Sequence, residues 1–177
     1  METNLTLPIL LSHVAHGAKI IWGDKDIYTV GFESEIDFEQ KLYPLSTLKF
    51  AIGNARKTNG DQGFKLLLRP MSDLTKEIEH NGERFVPMKA LVDSKKTDWD
   101  EMEVIEFNPF PRQGPGPIWY KVVHSEFDEV LSINPSNCLV LPFYMNQKLL
   151  EWKFDIFGLL ESGDALNLNE ILNETKG

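Results

Sequence analysis

The sequence predicts an α+β fold, a mainly antiparallel sheet with a few short helices and one longer, amphipathic C-terminal helix. Three observations lead there. Runs of β-branched and aromatic residues, bounded by Gly, Asp and Pro, fill the middle of the chain. No regular strand–helix alternation accompanies them, and a parallel, doubly wound sheet would need one. Finally, Leu149, Trp152, Ile156 and Leu159 recur at a helical period, with Leu150, Phe154, Phe157 and Leu160 beside them. That stripe is wide enough to sink into a core rather than lie on a surface.

Taken in order, Leu5–Ala15 leaves two readings open, a short helix ending at Gly17 or an extended lead-in. The apolar run there has no basic residues before it and is interrupted by Pro8 and His13, so it reads as the start of the fold rather than a secretory signal. Ala18–Trp22 and Ile27–Phe32 form a hairpin across the turn-rich Gly23–Asp26. From Phe32 to Glu39 the sequence alternates with period two. As a strand it would set Glu33, Glu35, Asp37 and Glu39 on one face. Carboxylates so placed stand roughly 7 Å apart, too far to share one metal unaided, so a solvated face is preferred to a cation site.

Residues 53–63 read as a polar, glycine-rich connection carrying Arg56 and Lys57; the Walker spacing is absent. Phe64–Arg69 is a strand, stopped by Pro70, which has no N–H to donate to a ladder. Ser72 then caps a helix reaching at most Glu79. Asn81-Gly82 either ends that helix or turns tightly into Glu83–Pro87. Met88–Val92 reads as a short helical turn and Trp99–Phe107 as another strand. Residues 108–117 hold four prolines and form an extended loop before the strand Ile118–Val123, either the tip of an irregular hairpin or a connection across one sheet edge. Leu139–Tyr144 reads as one more short strand, and the C-terminal helix runs from near Met145 to Gly163.

Composition bounds the rest. The 177 residues, 42% of them hydrophobic, suit one globular domain over residues 1–166, with 167–177 a frayed polar tail. Cys138 is the single cysteine, so neither a disulfide framework nor a multi-cysteine zinc site is possible; its apolar neighbours suggest a small buried hydrophobe. A net charge of −9 argues against general binding to nucleic-acid backbones. No stretch approaches the roughly 20 apolar residues that span a bilayer, and the expected location is cytoplasmic.

Chemistry is sparsely signalled, and no catalytic residue, metal or cofactor is assigned. His13 and His16 stand three apart, a spacing metal sites use, but no glutamate completes a His-Glu-x-x-His pattern. His124-Ser125-Glu126 holds the residue types of a hydrolase, yet adjacent strand residues point to opposite faces and no Gly-x-Ser-x-Gly elbow is present. The two loops offer more. One presents Arg56; the other presents Arg112, followed by Trp119 and Tyr120. Arginine beside aromatic rings can recognise a protein, a peptide or a phosphate. Against that stands the simpler reading of a proline-stiffened loop whose aromatics cover the core. Arg69, closing an apolar strand, needs a partner of its own, a carboxylate of the fold or an anionic ligand.

Several segments together resemble a group of uncharacterised phage and prophage proteins of Bacteroidota. They are Lys65–Ile78, Asn81–Pro87 and Leu149–Leu160. The group's pattern is similar to Lys-Pro-Ile-Leu-Arg-Pro-Leu-Ser-Asp-Leu-Thr-Lys with a later Glu-Trp-His-Phe-Asp-Val-Phe-Gly-Leu-Ile, and a weaker echo lies around His16–Lys19. Lys153 replaces the histidine often found in that second motif, so no histidine role carries over. The resemblance implies a mobile-element setting, and with it the host cytoplasm, but no activity.

The leading expectation is a non-enzymatic phage-type accessory protein that binds a host or viral protein partner, with Arg56, Arg69, Arg112, Trp119 and Tyr120 as candidate contacts. The alternative is a binder of an anionic small molecule, such as a nucleotide, through the three arginines. A third reading is a metal-dependent hydrolase built on the Glu33–Glu39 face with His13 or His16.

Overall fold

In the computed structural model the described residues are 4–22, 26–31, 42–45, 47–49, 51–52, 63–92, 102–109, 118–124 and 131–174. The chain divides into two compact units, Met1–Pro70 with Lys153–Gly177, and Met71–Trp152. Antiparallel strand pairings outnumber parallel ones, as the α+β expectation requires; the second unit is wholly antiparallel and the first is mixed.

The first unit is a five-stranded sheet. Its strands are β1 (Lys19–Trp22), β2 (Asp26–Gly31), β3 (Leu42–Pro44), β4 (Phe64–Leu68) and β10 (Ala165–Asn167), in the order β10-β4-β1-β2-β3. β1 pairs antiparallel with β2 and with β4, whereas β10–β4 and β2–β3 are parallel. The 18–32 hairpin and the strand stopped by Pro70 thus form as expected. Helix α1 (Leu7–Val14) settles the N-terminal ambiguity: the Thr6 side chain accepts from the Ile9 N–H, and Pro8 occupies the first turn, where its missing donor costs nothing.

Strand alternation gives the sheet two buried faces. Ile20, Tyr28, Val30, Phe64, Leu66, Leu68 and Ala165 pack with Leu10 and Val14 of α1, with Leu45, Leu48 and Ile52, and with Leu159 of helix α4 (Leu159–Ser162). On the opposite face Ile21 and Leu67 meet Leu168 and Ile171 of helix α5 (Leu168–Glu174). The tail expected to fray beyond residue 166 is therefore built into the unit, because its apolar residues cover a face that would otherwise expose Leu67.

The second unit opens with a 3-10 turn, Met71–Thr75, followed by the hairpin of β5 (Ile78–His80) and β6 (Glu83–Phe85) and by helix α2 (Pro87–Leu91). The helix expected from Ser72 to Glu79 stops after one turn. Asn81 and Gly82 both take positive φ, 52° and 83°. That makes a two-residue turn whose twist matches paired strands rather than a helix cap. Strands β7 (Met102–Phe107), β8 (Trp119–His124) and β9 (Leu131–Ile133) form an antiparallel meander on which α2 packs. Phe107 pairs with Trp119, so the proline-rich segment does join the two arms of a hairpin. The strand expected at Leu139–Tyr144 is instead a 3-10 turn, Pro135–Val140, leading into helix α3 (Phe143–Glu151).

α3 is the longer C-terminal helix, but it is shorter than the apolar stripe predicts. Leu149, Trp152, Phe154, Ile156 and Leu159 are all buried, yet the helix ends at Glu151. Lys153 turns to φ 68°, and Phe154 forms a parallel bridge with Arg69. The Arg69 N–H donates to the Lys153 carbonyl at 2.7 Å, and the Asp155 N–H to the Arg69 carbonyl at 3.0 Å. The helical period was real as a burial pattern and wrong as a continuous helix. Main-chain pairing with the end of β4 takes the place of the missing turns.

Candidate functional site

The two motifs of the resemblance meet in the first unit, and what they do there is structural. Asp155 is buried, and its carboxylate accepts from the N–H groups of Leu159 and Leu160, at 2.8 and 2.7 Å. It thereby caps the first turn of α4. Asp164, also buried, accepts from the Asn4 and Leu5 N–H groups at 2.7 and 3.2 Å and fastens the segment before α1 to the start of β10. Lys153 directs its ammonium to the carbonyl of His16. The Arg69 guanidinium donates to the Asn169 side-chain oxygen at 2.7 Å.

The candidate contacts separate accordingly. Arg69 lies in the first unit and is buried; Trp119 and Tyr120 lie on β8 of the second. Trp119 packs edge-on against Phe107, with ring centroids 6.3 Å apart, and Tyr120 is buried. Burial, and then the nearby carboxylate of Glu106, push the Tyr120 hydroxyl above its ordinary pKa, against a smaller opposing pull from Lys76. Tyr120 therefore follows the simpler reading of an aromatic that covers a core, whereas Trp119, on the opposite face of β8, is half-buried beside Phe107. Arg56, Arg112 and the Glu33–Glu39 face lie outside the described residues, as does the side chain of Cys138. Among the described residues no group of three His, Cys, Asp or Glu could hold a metal ion. His13 sits on α1 with Phe157 edge-on, ring centroids 5.7 Å apart. Burial, helped by Lys153 and His16, lowers its pKa to about 4.

The structure offers a different site, in the second unit. A cavity of about 490 Å³ opens between the β5–β6 hairpin and α3, lined by His80, Asn81, Glu83, Arg84, Phe85 and Ala90 on one side and Lys148, Glu151 and Trp152 on the other. That volume is within the range of small-molecule and peptide clefts. Its floor is the Phe85–Trp152 pair, ring centroids 5.0 Å apart and tilted by 57°. Its rim is charged but balanced. Lys148 pairs with Glu151 at 2.9 Å. Arg84 is held only loosely, 3.6 Å from Glu79 and 3.8 Å from Glu77. All three of those residues are exposed, so the contacts contribute little.

Sequence reasoning missed this cleft because the two aromatics of its floor are distant in sequence, and Trp152 belongs to a stripe that reads as core. The one available signal was Asn81-Gly82. Taken as a hairpin turn, it would have placed Glu83–Phe85 on a strand of their own.

At the other end of α3 lies an apolar surface. Val140, Phe143 and Tyr144, with relative exposures of 74%, 78% and 58%, are the three most exposed large apolar side chains among the described residues. Tyr144 shares a helix face with Lys148 and Glu151, at i+4 and i+7. No known protein family, curated protein or solved structure matches the chain. Among the described residues no helix is long and apolar enough to cross a membrane.

Proposed function

We propose that the chain is a non-enzymatic accessory protein, of phage or prophage type, that acts by binding a partner protein through the exposed end of α3. The observation that carries this is the cluster of Val140, Phe143 and Tyr144 within one short segment. Exposed singly, such residues need no explanation; grouped within five residues, where a 3-10 turn leads into α3, they favour an interface. Aromatic side chains supply most of the energy at such surfaces, because they bury a large area with few rotors to order. The phage setting rests on the motif resemblance alone.

The test places a photo-reactive phenylalanine analogue at Tyr144 and irradiates cells of a Bacteroidota host expressing the chain. A discrete adduct is expected, lost when Phe143→Asp is added. Because Phe143 is exposed, that change should shift stability by no more than about 0.5 kcal/mol, which thermal melting checks. If residue 144 gives only the diffuse labelling seen from an exposed control such as Glu161, the reading fails.

A further inference from the structure

The cleft beside β6 has a property that restricts what can fill it. Glu83, Arg84 and Phe85 are consecutive, and all three line it. By the hairpin register His80, Glu83 and Phe85 share one face while Arg84 points to the other, so a cavity that touches all four reaches past that face to the strand's edge. The register identifies which main-chain groups face that way. His80 pairs with Glu83 across the two-residue turn, Glu79 with Arg84 and Ile78 with Phe85. In such a hairpin the pair flanking the turn exchanges both hydrogen bonds and the next pair exchanges none. The Arg84 N–H and C=O therefore point away from β5. Val86 keeps an extended backbone, φ −94° and ψ 116°, so its N–H falls on the same outer side, two residues on. Among the described residues none of these three groups has a hydrogen-bond partner, and β5–β6 is a sheet of two strands only.

We propose that this edge is a strand-addition site: an extended segment of the partner protein lies between β6 and α3, pairs with the main chain of Arg84 and Val86, and sets one large apolar side chain on the Phe85–Trp152 floor. Unpaired strand groups demand a strand, which fixes the backbone of the occupant. The tilted aromatic pair fixes its anchor. The rim carries Arg84, Lys148 and His80 against Glu83 and Glu151, so charge does little to select the sequence. This deepens the partner-binding reading and rests on it, but it stands or falls on different atoms.

The experiment uses the full chain, labelled with ¹⁵N, and a capped pentapeptide of threonine and valine around a central phenylalanine. A second probe is identical except for N-methylation of the amide after phenylalanine. Titration should shift the amides of Arg84, Phe85 and Val86 and the Trp152 indole saturably, and the methylated probe should bind at least about tenfold more weakly, the worth of one lost hydrogen bond. Arg84→Pro removes an N–H that does not serve the hairpin, so it should abolish binding with the β5–β6 pairing intact. Should that variant not fold, the methylated probe decides the matter on the unaltered chain. Equal binding of both probes overturns strand addition. So does an absence of saturation at millimolar peptide, or shifts confined to Phe143 and Tyr144. In each of those cases the photo-adduct from residue 144 tells independently whether a partner is bound at all.

Discussion

His13 makes the stability of the first unit depend on pH in a calculable way. Its ring is buried, 1% exposed, and neither nitrogen has a hydrogen-bond partner among the described residues. Burial, then Lys153, then His16 hold its pKa at about 4 instead of 6.5. The folded pKa is depressed, so between these values the unfolded chain binds more protons, and stability must fall as pH falls. The contribution is fully present above pH 6.5, declines below it, and is exhausted below about pH 4, a total of about 3 kcal/mol. Linkage over the accessible window, from about pH 7.5 to about pH 5, gives a loss of about 2 kcal/mol. His13→Leu abolishes that loss and removes two buried polar atoms. Urea unfolding followed by circular dichroism at the two ends of that window measures it. The unaltered protein should lose about 2 kcal/mol more than the variant over the interval, carboxylate titration being common to both. Equal losses would refute the reasoning, for they would mean that the imidazole reaches water or a partner when protonated.

Two further perturbations test the fold. Asp155→Ala leaves the Leu159 and Leu160 N–H groups without their acceptors at a buried helix start, and should cost about 2–4 kcal/mol in chemical denaturation. Asp155→Asn, which keeps one acceptor, should cost less. Gly82→Ala meets no atom within 4 Å, so its penalty is purely conformational, set by the φ of +83°. That penalty should be about 1–2 kcal/mol in the same assay. A neutral result there would mean that the two-residue turn is not what sets the hairpin.

Much of the architecture was legible locally. The hairpin of β1 and β2, the strand stopped by Pro70 and the pairing of β7 with β8 all follow from apolar runs bounded by breakers, because strand and turn preferences act over a few residues. Where the reading failed, a distant partner had outweighed the local pattern. Leu149–Leu160 has the period of one helix, but the main chain of Arg69 captures residues 153–155, and Asp155 starts a new helix beyond them. Leu168 and Ile171 look like tail residues until Ile21 and Leu67 supply a face for them. For the site, the sequence pointed to two loop arginines, Arg56 and Arg112, which fall outside the described residues, to Arg69, which is buried, and to two aromatics, of which Tyr120 is buried and Trp119 half-buried.

By itself the sequence determined the α+β class, the absence of a disulfide framework and which residues must leave water. These are properties of composition and of periods two and near four, and a chain carries them wherever it folds. Tertiary structure alone decided that Phe85 and Trp152 pack together, that Arg84 lines a cleft beside them, and that His13 is sealed from solvent. Each depends on residues far apart in the chain being brought within a few ångströms, and the energy of such a meeting belongs to the pair and cannot be read from either residue.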